Sequence, residues 1–330
     1  MSKPTAADVA KAAGVSKWTV IRAFTPGASI SERSREKILI EAAKLGYAPN
    51  LLARSLATNQ TNLIAILVDD FANPHKLPAL EALTKKLQLE GMASVLININ
   101  DEFDHLAAML NAAQRQVDAM VLVGTGFRPE MIQNRKTAAG APPLFVFARQ
   151  SKLDDVPYVD CDPISAMQAI CEHLQQKGYR HPLYLSGPDV VSTGLGRYQF
   201  VQSYWASTCQ TTVHRIQSTD YSVNSAKEVI KQHLMILPRE SWPDVLICEN
   251  DVLAIGAMDV LRDEFHLRVP EQMAVTGFDG TEIAALAAYD ITSYAQPLEE
   301  MVVELVEMIK GRKPQQSVSL TGQLLPRQTT

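Results

Sequence analysis

Apolar residues along this chain recur first at helical spacing and then, from Leu63, as short continuous runs separated by helical stretches. Behind Thr5, which is placed to cap a helix, Val9, Ala12 and Ala13 share one face, and Gly14 breaks the period. Ser16 opens a second helix whose inner face carries Val20 and Ala23 and whose outer face carries Lys17, Trp18 and Arg22. A third helix follows Ser31 over 32–45, with apolar positions at 38, 39, 42, 43 and 45 and a stop at Gly46. Two helices joined through a glycine, closed by a third, form a helix-turn-helix pattern. Donors at the start of its second helix suit the edges of bases in a major groove. Two short amphipathic helices also occur in unrelated folds, so this pattern alone leaves DNA binding as one of two readings.

The next segment, Tyr47 to Thr58, has room for about two helical turns from Asn50, a length that is marginal in water without a partner. Leu51, Leu52 and Leu56 make it too apolar for a purely solvated tether. Beyond it, strands are predicted at 63–68, 94–99, 119–123, 143–147, 157–161, 182–186, 244–248 and 272–277, with a short candidate at 323–326. Helices are predicted at about 75–91, 103–115, 163–178, 194–208, 221–238, 251–265 and 297–311. Strand and helix alternating at this pitch imply parallel sheets covered on both faces, in two similar α/β lobes. Ligands in such folds bind beyond the carboxyl ends of strands, which directs attention to Asp69–His75, Asp160–Pro163, Ser186–Arg197, Glu249–Asp251 and Gly277–Gly280.

Charge sharpens this division. Residues 1–60 carry nine Lys or Arg against four Asp or Glu, while the remainder carries 22 against 32, a basic head on an acidic body. Positive charge confined to the helix-turn-helix segment is what phosphate contact requires. The 330 residues, 46% of them hydrophobic, allow two or three domains, and no run approaches a membrane span, so a cytoplasmic protein is expected. The four cysteines (Cys161, Cys171, Cys209, Cys248) and seven histidines show neither CxxC nor HExxH spacing, so no metal site and no disulfide framework is suggested. No P-loop or Gly-x-Ser-x-Gly elbow is present, and Gly124-Thr125-Gly126 lacks the third glycine of a dinucleotide fingerprint. Neither an enzyme nor a cofactor is therefore expected. A transport or chemotaxis binding protein would share a two-lobed body but would need export, for which no signal peptide is seen.

The head and hinge resemble the lactose-repressor (LacI) family of bacterial transcription regulators. The resemblance lies in Asp8-Val9-Ala10, Ala13-Gly14-Val15-Ser16, Thr19-Val20, Arg22, Ser31, Arg35, Gly46-Tyr47, Pro49-Asn50 and Ala53-Arg54-Ser55-Leu56. It continues through Asn73-Pro74, Asp162 with His173-Leu174, Arg197 after Gly194-Leu195-Gly196, Asn250-Asp251 with Ala254-Ile255-Gly256-Ala257, and Gly277-Phe278-Asp279. It implies a homodimer on a pseudo-palindromic operator in double-stranded DNA, and a periplasmic-binding-protein-like body of two parallel sheets flanked by helices. The expected division is a DNA-binding domain over 1–60, with a hinge helix at about 50–58, and an effector-binding and dimerisation domain over 61–330. The body's lobes would comprise about 62–161 with 293–321, and 162–292 with 322–330, the chain crossing near Cys161, Thr292 and Gly322.

On that resemblance Thr5, Ser16, Lys17, Trp18, Thr19, Arg22, Asn50, Ala53 and Leu56 are the expected DNA contacts. Leu56 matches the leucine that enters the minor groove when the hinge folds on the operator. Lys17 and Trp18 stand at the positions that choose the operator, Trp18 being suited to a thymine methyl, while Ile21 and Thr25 depart from the family's serine and asparagine. The expected effector contacts are Phe71, His75, Asp162, Arg197, Asn250 and Asp279. Arg197 offers a planar fork to hydroxyls, a carboxylate or a phosphate, and Asp279 accepts hydroxyls, unless it caps the helix near Thr281. Of Asn250 and Asp251, Asn250 is expected at the ligand and Asp251 at the helix cap. His75 stands where relatives carry an aromatic residue, which weakens the case for a common hexose and admits a nucleobase or an acidic or phosphorylated metabolite. The C-terminus shows no leucine heptad tail, so a dimer is the expected assembly.

Overall fold

The computed structural model describes residues 3–25, 27–49, 55, 60–69, 71, 73, 75–99, 105–124, 141–153, 155–189 and 193–330. The chain divides at Thr61 into two units, a head and a body.

In the head, α1 (Ala6–Ala13), α2 (Lys17–Ala23) and α3 (Glu32–Leu45) begin and end as local chemistry dictates. Thr5 caps α1 in a reciprocal box with Asp8: the Asp8 amide donates to Thr5 Oγ1, and the Thr5 amide donates to the Asp8 carboxylate at 2.8 Å. Ser16 and Ser31 cap α2 and α3, and Gly14 and Gly46 end α1 and α3 in the left-handed conformation. Val9, Ala10, Ala13, Val20, Ala23, Ile38 and Ala42 form the core, edged by a T-shaped Phe24–Tyr47 contact. Ala10 is buried where the spacing suggested Ala12, which is exposed. Arg35 of α3 donates to the carbonyls of Ala23 and Ala28 at 2.9 and 3.1 Å, fixing the end of α2 and the loop after it.

The body begins with β1 (Leu63–Val68), α4 (Lys76–Leu89), β2 (Ala93–Asn98), α5 (His105–Gln114), β3 (Ala119–Val123), β4 (Leu144–Phe147), β5 (Gln150–Ser151) and β6 (Tyr158–Cys161). It continues with α6 (Pro163–Gln176), β7 (Pro182–Ser186), β8 (Thr193–Gly194), α7 (Arg197–Cys209), β9 (His214–Gln217), α8 (Val223–Ile236), β10 (Val245–Cys248) and α9 (Asp251–Asp259). Last come β11 (Ala274–Asp279), β12 (Thr292–Ala295), α10 (Leu298–Ile309), β13 (Val318–Leu320) and β14 (Gln323–Leu325). Among the described residues these make two six-stranded sheets, ordered β13-β6-β4-β3-β1-β2 and β14-β12-β11-β10-β7-β9. All pairings within them are parallel except β12 with β14. The central strands β1, β3, β10 and β11 are buried almost throughout, which is why the first three read as unbroken apolar runs; each large aliphatic side chain so buried stabilises the fold by about 1.5–3 kcal/mol.

The periodicity missed β9, β12 and β13. Their residues, His214-Arg215-Ile216-Gln217, Thr292-Ser293-Tyr294-Ala295 and Val318-Ser319-Leu320, mix polar and apolar side chains because they lie at or near sheet edges or at lobe crossings. The expected helix at 194–208 starts later, at Arg197, since Thr193 and Gly194 pair antiparallel with Ser151 and Gln150. That two-stranded ladder joins the lobes. The chain crosses between lobes after Cys161, after Ala295 and around Thr321-Gly322. The second crossing therefore follows β12, which pairs with β11, and not the start of that strand at Thr292.

Asp251, fully buried at the start of α9, ties the second lobe together. It accepts hydrogen bonds from the Thr281 amide (2.7 Å), Thr281 Oγ1 (2.9 Å) and Ser293 Oγ (2.6 Å), joining the ends of β11 and β12. The approach requires Gly277, where an added Cβ would stand 2.2 Å from Asp251 Oδ1. Gly277→Ala is accordingly expected to destabilise the body by about 1–3 kcal/mol, read as a lower urea midpoint; an unchanged midpoint would contradict this packing.

Candidate functional site

Two places bring the sequence-predicted residues together. On the head, Ser16 and Thr19 are spent locally: the Thr19 amide donates to Ser16 Oγ at 3.1 Å and the two hydroxyls lie 2.8 Å apart. This cap leaves Lys17 and Trp18 exposed on the first turn of α2, Trp18 with 67% of its surface open. The two side chains stand next to each other on that open turn. Arg22, one turn on, is half-buried and donates to the Ser29 carbonyl, and Thr5 is exposed but committed to its capping box. Asn50, Ala53 and Leu56 lie outside the described residues.

In the body, a cleft opens between the carboxyl ends of the two sheets. The first lobe contributes Asn73, His75 and Lys76 from the loop after β1 and the start of α4, Gly124 after β3, and Phe147, Ala148 and Arg149 from the end of β4. The second contributes Leu195 and Arg197 at the start of α7, Tyr221 after β9, Asn250 after β10 and Asp279 at the end of β11, with Gln296 from the crossing segment. Gly124, at a φ of 154°, stands where a Cβ would strike the Asp69 carboxylate. Its place in the chain is explained by that contact and by no nucleotide fingerprint. Asp69 in turn holds the Lys76 ammonium.

Arg197 is buried. Its guanidinium lies 3.3 Å above the centroid of the Phe278 ring and donates to the Glu249 carbonyl. Asp279 has a φ of 110° and is also buried; burial pushes its carboxyl up to about 7, against the pull of Arg197 and a 2.7 Å hydrogen bond from Gln296 Nε2. It caps no helix, because the Thr281 amide is held by Asp251. Burial, with Arg197 nearby, depresses His75 to about 4, so the imidazole is neutral at physiological pH. Gln296 Nε2 lies 3.1 Å from His75 Nε2, making a His75–Gln296–Asp279 bridge from one lobe to the other. Gln296 Oε1 finds no partner among the described residues, and a donor from the cleft would satisfy it.

His75, Arg197, Asn250 and Asp279 thus meet in one cleft. Two residues expected there do not line it: Phe71 is exposed, and the Asp162 carboxylate accepts from the Ile164 and Ser165 amides as the cap of α6. The roles of Asn250 and Asp251 also differ from expectation. Asn250 Oδ1 caps α9 through the Leu253 amide at 3.0 Å while the residue lines the cleft, and Asp251 is buried behind it, its carboxyl raised to about 6 by burial. Phe147, Arg149, Tyr221 and Gln296 were not anticipated. Phe147 and Arg149 sit at the end of a strand that had been recognised, so the carboxyl-end rule applied to 143–147 would have found them. Tyr221 and Gln296 follow β9 and β12, strands the periodicity missed.

Among the described residues no helix is long and apolar enough to cross a membrane, and no cluster of His, Cys, Asp and Glu suits a metal ion. Residues 5–50 match the model for bacterial regulatory proteins of the lacI family, and residues 61–309 that for periplasmic binding proteins and the sugar binding domain of the LacI family. The chain is 26% identical over 310 residues to the HTH-type transcriptional repressor PurR of Pectobacterium carotovorum subsp. carotovorum (strain PC1), covering 93% of this chain and 90% of that one. It is 27% identical over 322 residues to the HTH-type transcriptional regulator CelR of Thermobifida fusca, covering 94% and 92%. The lac repressor dimer bound to operator and the anti-inducer ONPF shares the fold, at a TM-score of 0.82 and 23% identity over 100% of this chain and 99% of that one. The CelR–cellobiose complex superposes at a TM-score of 0.69 with 25% identity, over 99% and 100%. Matched by these models along most of its length, in head and body alike, the chain belongs to the lacI family of bacterial regulatory proteins.

Proposed function

We propose that this protein is a cytoplasmic, sequence-specific transcriptional repressor of carbohydrate or related catabolic genes, whose homodimer grips a pseudo-palindromic operator and is switched by a small molecule held between the two lobes. The observation that carries the reading is that one chain joins a helix-turn-helix, with Lys17 and Trp18 open on its second helix, to a cleft where His75 of one lobe faces Arg197, Asn250 and Asp279 of the other. The chemistry of that cleft is suited to recognition: buried polar groups aimed at a space, and aromatic walls. The PurR and CelR relatives and the cellobiose-bound CelR structure support a small polar effector.

The switch follows from groups on both lobes sharing one ligand. A molecule contacting His75 and Gln296 on one side and Arg197 and Asp279 on the other stabilises one closure angle over others by its differential contacts alone. With the dimer built on the first lobes, that angle sets the spacing of the two hinge segments, around Leu56, and so the free energy of ordering them on DNA.

An operator selected from random duplex tests the head. Lys17→Ala is expected to weaken binding to it by about 1–3 kcal/mol in fluorescence anisotropy while binding to random duplex changes little; equal losses on both would reduce Lys17 to a phosphate contact. For the cleft, titration with metabolite fractions is expected to change operator affinity in the native chain, and the ratio of affinities with and without effector to fall near one in Arg197→Ala. Failure of any fraction to move the operator affinity would remove the switch.

Acid–base behaviour offers an independent check. Hydroxyl donors favour the carboxylate form of Asp279, so effector binding near pH 7 is expected to release protons, seen as a binding enthalpy that varies with the buffer and becomes buffer-independent in Asp279→Asn. For stability the sign is fixed: with its folded value raised from 3.8 to about 7, Asp279 gives stability that is present below pH 3.8 and lost as pH rises through 7. His75, depressed from 6.5 to about 4, gives the opposite slope, its stability present above pH 6.5 and lost as pH falls through 4. Asp279→Asn is therefore expected to gain stability relative to the native chain between pH 5 and pH 8, measured by urea unfolding.

A further inference from the structure

The effector cleft does not end at its own walls. Arg149, Leu195 and Arg197 also line a second recess, of about 340 Å³, which continues from the cleft toward the β5–β8 ladder. Among its described lining residues are four cations, Arg149 and Lys152 from the first lobe and Arg197 and Arg215 from the second, against two acids, Asp189 and Glu249. Both acids are committed. Glu249 Oε2 accepts from the Gly187 amide at 2.5 Å and from the Tyr221 hydroxyl at 3.1 Å, and Asp189 pairs with Arg215 at 2.7 Å at the rim, its side chain 77% exposed. This excess of positive charge belongs to a body whose Asp and Glu outnumber its Lys and Arg by 32 to 22, so it does not reflect a generally basic surface.

Arg149 connects the two lobes here. It reaches from the end of β4 across the cleft, its Nη1 3.4 Å from the Tyr221 hydroxyl and its guanidinium carbon 6.0 Å from that ring, so a cation of one lobe stands at the opposite wall. Arg215 is held in place on the other side of the recess, Nε donating to Ser186 Oγ at 2.8 Å and the guanidinium lying over Tyr198. The cleft itself is lined by groups suited to hydroxyls: Asp279 as acceptor and Asn250. His75 there is neutral and supplies no charge for an anion.

Resting on the effector-cleft reading above, we infer that the ligand is an anionic carbohydrate whose hydroxyls meet Asp279 and Asn250 and whose carboxylate or phosphate lies in the recess between Arg149, Arg197 and Arg215. Planar guanidinium forks from two lobes suit a group with several acceptor oxygens, and binding it draws the lobes together through charge as well as shape. A neutral sugar would leave these cations with no new partner.

The test uses the full chain and matched sets: hexoses, the corresponding aldonic and uronic acids, the hexose phosphates, and inorganic phosphate alone, each followed by calorimetry. At least one acid or phosphate is expected to bind about tenfold or more tightly than its neutral parent, a preference that shrinks as salt is raised. The acids and phosphates form separate arms, and whichever arm binds names the anion. Arg149→Gln is expected to reduce the anion-to-neutral ratio about tenfold, and Arg215→Gln, at the rim of the recess, to lower it in the same direction should the first variant fold poorly. Because the readout is a ratio within one variant, a general loss of folded protein does not mimic it. A neutral sugar that binds as tightly as its acid and phosphate, or a ratio untouched by both substitutions, overturns the inference while leaving the regulator reading intact. Binding by inorganic phosphate alone as tight as by any sugar phosphate also overturns it, since the hydroxyl end would then contribute nothing. Should no member of any set bind while metabolite fractions still shift operator affinity, the anionic class is wrong and the switch survives; if the fractions shift nothing, both fall.

Discussion

A buried guanidinium organises this molecule. Arg197 lies out of water at the start of α7, stacked on Phe278 and bonded to the carbonyl of Glu249, so one side chain binds together the ends of three elements of the second lobe: α7, β10 and β11. Taking such a charge from water is costly unless partners surround it. Asp279 and Asp160 lie within its electrostatic reach, yet burial still raises both carboxyls, to about 7 and about 6. Desolvation outweighs the attraction to Arg197 at both. In such a place each hydrogen bond to a ligand counts for more than it would at the surface.

Backbone and side chains both join the two lobes. Their backbones are joined by three crossings and by the β5–β8 ladder, while their side chains meet through His75, Gln296 and Asp279 and through Arg149 and Tyr221. His75 is held neutral by burial and accepts or donates according to its tautomer, so its part in the bridge is a hydrogen bond without charge. Gly277 and Asp251 tie the adjoining strand ends together.

The head works by a simpler economy of hydrogen bonds. Ser16, Thr19, Thr5 and Asp8 satisfy the orphan amides of two helix starts, and that commitment turns Lys17 and Trp18 outward. Its core of seven small and medium side chains is slight for an independent unit, and Arg35 supplements it with two bonds to backbone carbonyls.

Much of this was legible in the chain. Caps at Thr5, Ser16 and Ser31, stops at Gly14 and Gly46, and the buried runs of β1, β3, β7 and β10 are written locally, because capping and burial on both faces each leave a signature within a few residues. His75, Arg197, Asn250 and Asp279 could be named because they follow recognisable strands or matched motifs. Tertiary structure alone decided which polar groups were already engaged: Asp162 and Asn250 both end strands, but one is consumed as a helix cap beside a crossing while the other caps and still faces the cleft. It alone placed Tyr221 and Gln296, whose strands carry no clear period, and set Arg149 against the opposite lobe. The reason is physical: a sequence shows what each side chain can offer, whereas the partner that takes up the offer arrives from a distant part of the chain.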